Sequence, residues 1–351
     1  METLIKQTET FSSELIESGL KTEIAVELVK KEFANNLSNN LSLYKVTSPI
    51  FVEENTGIND DLNGVERAIS FPVKSLTTGR GVVIHSLAKW KRLRLMELRI
   101  SPGEGILTDM RAIRPDEDLS EIHSIFVDQW DWERVISKEQ RTIEFLKQIV
   151  DEIYDAMKKI EQMVFEYFPA IAPVLPDKIT FIHSQELLEM YPDLSPKERE
   201  YEAAKKFGAF FLIGIGADLT NGMPHDGRAP DYDDWSTATD KNRKGLNGDI
   251  IVWNPSTQSA LELSSMGIRV DKDALMRQLT IKNDFEKAEL SYHKMLMNDK
   301  LPLSIGGGIG QSRLCMFFLR KRHIGEVQAS IWPQSIKDEC AAKNINIIGL
   351  F

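Results

Sequence analysis

Cysteine is scarce in this chain: Cys315 and Cys340 are the only two among 351 residues. They are too few for a disulfide framework and lack zinc-ligand spacing, so they indicate reduced thiols in a cytosolic protein. Long apolar runs are absent too, and none approaches the ~18 residues of a membrane span. The first six residues are acidic and interrupted, unlike a signal or transit peptide. These absences predict a cytoplasmic protein that does not enter a membrane.

Positive charge is also limited, with 43 lysines and arginines against 53 aspartates and glutamates and a formal net charge of −10. A large nucleic-acid interface needs a basic face, so the composition argues against a nucleic-acid partner. One local basic cluster is left, and its members are Lys89, Lys91, Arg92, Arg94 and Arg99. No linker, repeat or low-complexity tract interrupts the chain, which favours a single continuous domain.

The most informative feature present is a run of four glycines within five residues: Gly306, Gly307, Gly308 and Gly310. An apolar run precedes it and a helical pattern follows, which predicts a strand, a glycine loop and a helix with Arg313 in its first turn. Glycines permit sharp turns and close approach to a ligand, and a helix start with an arginine favours an anion. The loop matches neither a Walker loop nor a dinucleotide fingerprint. We predict a nucleotide site, with an empty tight turn as the alternative.

Two further segments carry polar groups that suit a ligand. The segment 114–133 contains an arginine, an acidic turn and a strand on which Gln129, Asp131 and Glu133 share one face and Trp130 and Trp132 share the other. The segment 231–236 contains three aspartates. The alternatives are an amphipathic strand with a solvated face and a simple acidic turn.

Asp249 and Glu262 lie within apolar strands, where an unpaired carboxylate is unfavourable. Clustered carboxylates suit Mg²⁺ bound to nucleotide phosphates, or an ammonium group. As partners for the two carboxylates the sequence offers Arg228, Arg269 and Arg313.

Hydrophobic periodicity predicts the secondary structure. Helices are expected over about 8–36, 139–168, 196–207, 271–280 and 284–298, and Gly208 is expected to be the C-cap of the third. Strands are expected over 44–52, 69–73, 82–84, 122–127, 209–215, 249–253 and 261–269. Because the strands occur in blocks and do not alternate with helices throughout, the pattern favours an α+β fold with a mainly antiparallel sheet flanked by helices.

Three of these segments, in order, resemble the signature motifs of class II aminoacyl-tRNA synthetases: the extended segment around Pro49, then 114–133, then 306–313. More closely, the chain resembles the ammonia-dependent asparagine synthetase (aspartate–ammonia ligase) family, which has a synthetase-like core without a tRNA-binding domain. The segments that carry this resemblance are 85–92, 114–118, 127–133, 229–236, 246–249, 262–269 and the glycine run. It covers about residues 40–334.

The resemblance implies a fold, a reaction and an assembly. The fold would be a class II synthetase core in one catalytic domain over 1–351, with an N-terminal helical region (1–40), the core (41–334) and an unmatched tail (335–351). The reaction would use ATP and Mg²⁺ to convert L-aspartate into β-aspartyl-AMP and pyrophosphate, after which ammonia gives L-asparagine and AMP. The assembly would be a homodimer with the Pro49 segment at its interface.

The resemblance also implies roles for individual residues. The catalytic residues would be Arg114, Arg313, Lys91 and Asp233. The residues that bind aspartate, asparagine or ammonia would be Asp60, Lys91, Gln129, Asp131, Asp233 and Ser265. The nucleotide-binding residues would be Arg114, Ser124, Val127, Asp249, Glu262, Ser264, Gly308, Gly310 and Arg313, with Asp249 and Glu262 also holding the metal.

One segment departs from the family pattern: residues 59–64 read Asn-Asp-Asp-Leu-Asn-Gly where the family has Gln-Asp-Asn-Leu-Ser-Gly, and alignment favours Asp60 over Asp61. Two other functions are considered. A synthetase-like enzyme acting on RNA is disfavoured by the acidic charge and the lack of a spare basic or barrel-like module. A non-catalytic regulatory paralogue is disfavoured by the retained Arg114, Glu262 and Arg313.

Overall fold

The computed structural model describes residues 19–60, 67–76, 79–240 and 243–348. Their strands are β1 (Leu43–Lys45), β2 (Phe51–Glu53), β3 (Ser70–Pro72), β4 (Arg80–Val83), β5 (Gly105–Ile113), β6 (Phe126–Val135), β7 (Thr180–His183), β8 (Ala209–Ile213), β9 (Asn247–Asn254), β10 (Ser259–Ile268) and β11 (Ser304–Gly310). Their helices are α1 (Gly19–Leu41), α2 (Ala88–Leu98), α3 (Ile143–Tyr167), α4 (Ser184–Met190), α5 (Pro196–Phe207), α6 (Lys272–Lys282), α7 (Ser291–Met297), α8 (Gln311–Phe318) and α9 (Gln334–Ala342).

Eight strands form one large sheet in the order β1-β5-β6-β11-β10-β9-β8-β7. The five inner pairs, from β5/β6 to β9/β8, are antiparallel, and the two edge pairs, β1/β5 and β7/β8, are parallel. A separate small sheet has the order β2-β4-β3. The predicted α+β class with a mainly antiparallel sheet is therefore confirmed.

Helix α3 covers one face of the large sheet because its apolar residues recur at helical spacing. Thr142 caps its start by accepting a hydrogen bond from the backbone N–H of Phe145. The buried face of α3 shares its core with α1, α8 and the tryptophans of β6, Trp130 and Trp132. Ile345 and Ile347 of the C-terminal tail are buried in the same core. The two faces of β6 thus differ as predicted, which leaves the face carrying Gln129 and Asp131 for the site.

Several predicted elements agree with the structure and several differ. Helix α5 begins at a capping box on Ser195 and ends at Gly208, whose φ is 72°, as predicted for a glycine C-cap. The predicted helix over 8–36 corresponds to α1, which runs on to Leu41, and its part before residue 19 lies outside the described residues. The strand predicted at 122 begins only at Phe126. Before it, the backbone turns through 120–123, where Ser120 accepts a hydrogen bond from the N–H of Ile122.

Helix α2 and strand β5 were not predicted from the sequence. On α2 the buried positions include Lys89, Lys91 and Arg92, so the helix shows no apolar stripe and its periodicity is hidden. These three residues do not form part of a local basic cluster, as was expected from the sequence. Each is buried and bonds to a different partner.

The predicted glycine loop is wrong: Gly306 to Gly310 continue β11 and pair with β6. None of these glycines has a positive φ, so the chain does not turn at them. A Cβ on Gly306 would overlap Oε2 of Glu133, and one on Gly308 would overlap Oε1 of Gln129. The glycines are therefore required because side chains of β6 lie across the backbone of β11.

We expect Gly306→Ala to destabilise the protein by about 1–3 kcal/mol, because the new methyl group overpacks the buried Glu133 carboxylate. Denaturant unfolding of the variant and the wild type measures the difference. Gly19→Ala is the matched control, since its Cβ would meet no described atom within 4 Å. Equal stability of Gly306→Ala and Gly19→Ala would contradict this reading of β11.

Candidate active site

A polar cavity of about 470 Å³ opens on the face of the large sheet opposite α3, which is within the range of small-molecule sites. The middle strands β6, β10 and β11 form its floor, and α2, the start of α5, the segment 114–124 and the segment 226–233 form its walls. The cavity therefore joins regions of the chain that lie far apart in sequence.

The predicted site residues meet in this cavity. Those that line it are Asp60, Lys91, Arg114, Ser124, Val127, Gln129, Asp131, Asp233, Glu262, Ser264, Ser265, Gly308, Gly310 and Arg313. Asp249 lies next to it, since its Oδ1 accepts a 2.7 Å hydrogen bond from Nη2 of the lining residue Arg228. Asp61 is outside the described residues. The described residues predicted for the site thus lie in or beside one cavity, and their individual roles stay predictions.

A bulge in β10 helps to bring consecutive residues of this strand to the cavity. Glu262 pairs with Ile251 and Ser264 with Ile250, so Leu263 is the extra residue. A bulge shifts the alternation of side chains along a strand. All four residues from Glu262 to Ser265 line the cavity, and Leu263 also packs into the apolar core.

Lys91 is held at the cavity floor by α2. Its buried ammonium group forms an ion pair with Asp131 and donates a 2.8 Å hydrogen bond to the carbonyl of Gly307. Burial lowers the pKa of Lys91, and the Asp131 carboxylate opposes that shift. The lysine is thus fixed against both β6 and β11.

Arg269 connects two carboxylates beside Lys91. Its guanidinium donates to Glu133 at 3.0 Å (Nε to Oε1) and 2.8 Å (Nη2 to Oε2), and it also bonds Asp233. Burial alone would raise the pKa of Glu133, but the charge and hydrogen bonds of Arg269, together with the Lys91 charge and the Ser304 hydrogen bond, hold that pKa below its usual value. Arg269 therefore pairs with Glu133 and Asp233 and, of the three arginines that the sequence offers as partners, is not the one that serves Asp249.

Arg228 is the partner that Asp249 was expected to need. Burial raises the pKa of Asp249 to about 7, with Arg228 opposing the shift and the nearby Glu262 carboxylate adding to it. The hydroxyl of Ser264 is buried in the same region without a hydrogen-bond partner in the described part of the chain. Two repelling carboxylates beside an unsatisfied oxygen fit a divalent cation with oxygen ligands.

Arg114 and Arg313 point into the cavity with only long contacts to acids. Nη1 of Arg114 lies 4.0 Å from Glu117, and its buried Nε has no partner among the described residues. Nη1 of Arg313 lies 3.8 Å from Oε2 of Glu262 and donates to the Glu262 carbonyl at 3.2 Å. Their donors are therefore available to an anion in the cavity.

The aspartates of 231–236 have separate surroundings. Asp231 accepts hydrogen bonds from Lys89 at 2.7 Å and lies 2.9 Å from Nε2 of His293. Asp234 accepts a 2.7 Å hydrogen bond from Arg141. Asp233 alone among the three lines the cavity, so the other two anchor the segment that carries it.

Sequence reasoning missed several lining residues, which are Ser86, Glu117, Ile122, His123, Phe126, Asp128, Lys197, Asp226, Tyr232 and Gln328. Most belong to segments already singled out, but Lys197 on α5 had no local signal that separated it from a solvated helix face. Burial and the Arg313 charge lower the pKa of His123 to about 4, so this imidazole is neutral at physiological pH.

The raised pKa of Asp249 predicts a pH effect on stability. A folded-state pKa of about 7 against an ordinary value of 3.8 means that the folded state holds this proton more tightly than the unfolded state. Without ligands, the wild type should therefore lose stability relative to Asp249→Asn as the pH rises from 3.8 to about 7, by about 1.4 kcal/mol per pH unit. Above pH 7 the difference in stability between the two proteins should stay constant. Denaturant unfolding of both proteins across this range measures the difference, and a pH-independent difference would contradict the assignment.

A family model described as aspartate–ammonia ligase matches residues 20–344 of this chain. The aspartate–ammonia ligase of Bacteroides fragilis is 57% identical over 328 residues, which cover 93% of this chain and 95% of that protein. The aspartate–ammonia ligase of Clostridium perfringens is 51% identical over the same share of each chain.

Solved structures show the same architecture at low identity. The asparaginyl-tRNA synthetase from Pyrococcus horikoshii complexed with asparaginyl-adenylate has a TM-score of 0.65 and 14% identity, covering 92% of this chain and 74% of that one. The asparaginyl-tRNA synthetase of Entamoeba histolytica has a TM-score of 0.62 and 12% identity, covering 88% and 67%. The fold is that of a class II aminoacyl-tRNA synthetase. No helix among the described residues is long and apolar enough to cross a membrane.

Proposed function

The chain belongs to the aspartate–ammonia ligase family, and on that basis we propose that it makes L-asparagine from L-aspartate, ammonia and ATP through a β-aspartyl-AMP intermediate. The observation that carries the proposal is the composition of the cavity. Arg114 has a donor without a described partner and Arg313 has only long hydrogen bonds, so both suit a phosphate, and acidic side chains beside them suit an amino group or ammonium. AMP and pyrophosphate would be the other products.

In the first step, an oxygen of the aspartate side-chain carboxylate attacks the α-phosphorus, and pyrophosphate leaves with the electrons of the broken P–O bond. Negative charge increases on the α-phosphate as this happens, and fixed cations stabilise it. The unpartnered Nε of Arg114 and the loosely held guanidinium of Arg313 support their assignment to this phosphate.

Mg²⁺ would accompany ATP and be held by Asp249 and Glu262. One or two carboxylates plus phosphate oxygens are the usual protein environment for this ion. When bound, it offsets phosphate charge. The raised pKa of Asp249 supports the assignment, because the pair of carboxylates lacks sufficient positive charge of its own.

The aspartate substrate would bind over β6. Lys91 and Gln129 offer donors to a carboxylate, while Asp60, Asp131 and Asp233 offer acceptors to the α-amino group and to ammonium. In the second step, ammonia attacks the activated acyl carbon and AMP leaves as the C–O bond breaks. A carboxylate of this group would accept the proton that ammonium must lose.

A homodimer in the cytoplasm is part of the proposal. Tyr44, Ile50 and Phe51 around Pro49 are large apolar side chains that are about half exposed. Strand β1 is also an edge strand of the large sheet. An exposed apolar segment beside a free sheet edge favours a protein contact.

A synthetase-like activity on RNA is the second candidate, favoured by the likeness to an asparaginyl-tRNA synthetase bound to its adenylate. The net charge of −10 argues against it.

Purified protein with aspartate, Mg-ATP and ammonium, without RNA, should form asparagine, AMP and pyrophosphate in equal amounts. Chromatography of the nucleotides and amino acids together with a pyrophosphate assay measures all three. Parallel reactions that omit ammonium or add tRNA are the controls. ADP and phosphate as products, or a requirement for tRNA, would contradict the proposal.

A further inference from the structure

The cationic side chains of the cavity fall into two groups. Those that line it in the described part of the chain are Lys91, Lys197, Arg114, Arg228, Arg269 and Arg313. Lys91, Arg228 and Arg269 are largely buried and paired with Asp131, Asp249, Glu133 and Asp233. Arg114, Arg313 and Lys197 are more exposed, with 25%, 22% and 70% of their side chains accessible. Of these three, Lys197 has no role in the function proposed above.

Lys197 is the second residue of α5, and two acids hold its side chain beside the cavity. Its Nζ donates to Glu200 at 3.1 and 3.2 Å and lies 3.7 Å from Asp226. Oε1 of Glu200 also lies 3.0 Å from Nε2 of the buried His225. Glu200 therefore links α5 to the segment that carries Asp226, and Lys197 lies between the two. With 70% of its side chain exposed, the ammonium group is accessible to a ligand.

Lys197 acts electrostatically on the same region as Arg313. Burial opposes the charge on Lys197, but Glu200, Asp226 and the more distant Glu262 raise its pKa above the ordinary value. Lys197 also adds to the effect of burial and Arg313 in lowering the pKa of His123. The Lys197 charge therefore acts on His123, as the Arg313 charge does, and is itself affected by Glu262, a proposed metal carboxylate.

A further cation in this region has a use in the proposed reaction. Attack on the α-phosphorus breaks the bond to the bridging oxygen, and the electron pair of that bond goes to the departing pyrophosphate. Mg²⁺ would offset part of this charge, and with Arg114 and Arg313 assigned to the α-phosphate, Lys197 is the remaining exposed cation among the described lining residues. A lysine ammonium on a flexible chain has rotatable donors that can follow a phosphate as it departs.

We propose that Lys197 is a further catalytic residue, whose ammonium group binds the β- and γ-phosphates of ATP and stabilises pyrophosphate as it leaves. This inference rests on the proposed function, because it requires ATP in the cavity with its outer phosphates towards α5. The alternative is an ordinary i, i+3 ion pair between Lys197 and Glu200 on a solvated helix face.

Lys197→Met tests the proposal by comparing ligands that differ only in the outer phosphates. Isothermal titration should show roughly ten- to hundredfold weaker binding of ATP and inorganic pyrophosphate, the loss expected for one charge-assisted contact. AMP should bind as tightly as to wild type, which also shows that the variant is folded. In the asparagine assay the variant should have a raised KM for ATP and a lowered kcat, and Lys197→Arg should recover part of both.

Lys205→Met is the matched control on the same helix, since Lys205 contacts the ring of Tyr201 and does not line the cavity. Unchanged ATP and pyrophosphate affinity in Lys197→Met, with active wild type, would overturn the role of Lys197 alone. An equal loss for AMP and ATP would also overturn it, because it would indicate a general change in the cavity. Wild type that binds no ATP and forms no AMP would overturn the proposed function and this inference together.

Discussion

The site depends on glycines along the cavity face of one strand of the sheet. Along β11, Gly306 and Gly308 leave space that Glu133 and Gln129 of the neighbouring strand occupy. The same bare backbone lets the ammonium group of Lys91 reach the carbonyl of Gly307. A single methyl group on β11 would displace these contacts. The glycines therefore determine where the charges of the cavity floor lie, and the rest of the site is built around them.

Charge around Arg269 is balanced within the protein, and charge around Asp249 and Arg114 is not. Arg269 satisfies Glu133 and Asp233 in a buried network, where an unpaired carboxylate would be strongly destabilising. By contrast, Asp249 has a raised pKa, and Arg114 has a buried donor without a described partner. A site whose charges are balanced in one part and unbalanced in another is suited to bind a charged ligand and its cation in the second part. This arrangement agrees with the family to which the chain belongs.

The sequence predicted what depends on local pattern and missed what depends on distant contacts. Strand alternation correctly separated Trp130 and Trp132 from the polar face of β6, and the helix over 196–207 with its C-cap at Gly208 was predicted correctly. The glycine run was misread as a loop because the reason for the glycines is a neighbouring strand. Helix α2 was hidden because its buried positions carry lysines and an arginine. Lys197 gave no signal, since only the fold brings α5 to the cavity.

The central claim is that the aspartate side chain is activated by the α-phosphate of ATP, and an isotope experiment tests it most directly. Aspartate labelled with ¹⁸O in its side-chain carboxylate is converted to asparagine, and the AMP is analysed by mass spectrometry. We predict that each AMP carries one ¹⁸O from the substrate, since a carboxylate oxygen stays with the phosphate when ammonia displaces it. AMP without label, or label in orthophosphate or pyrophosphate, would contradict the account.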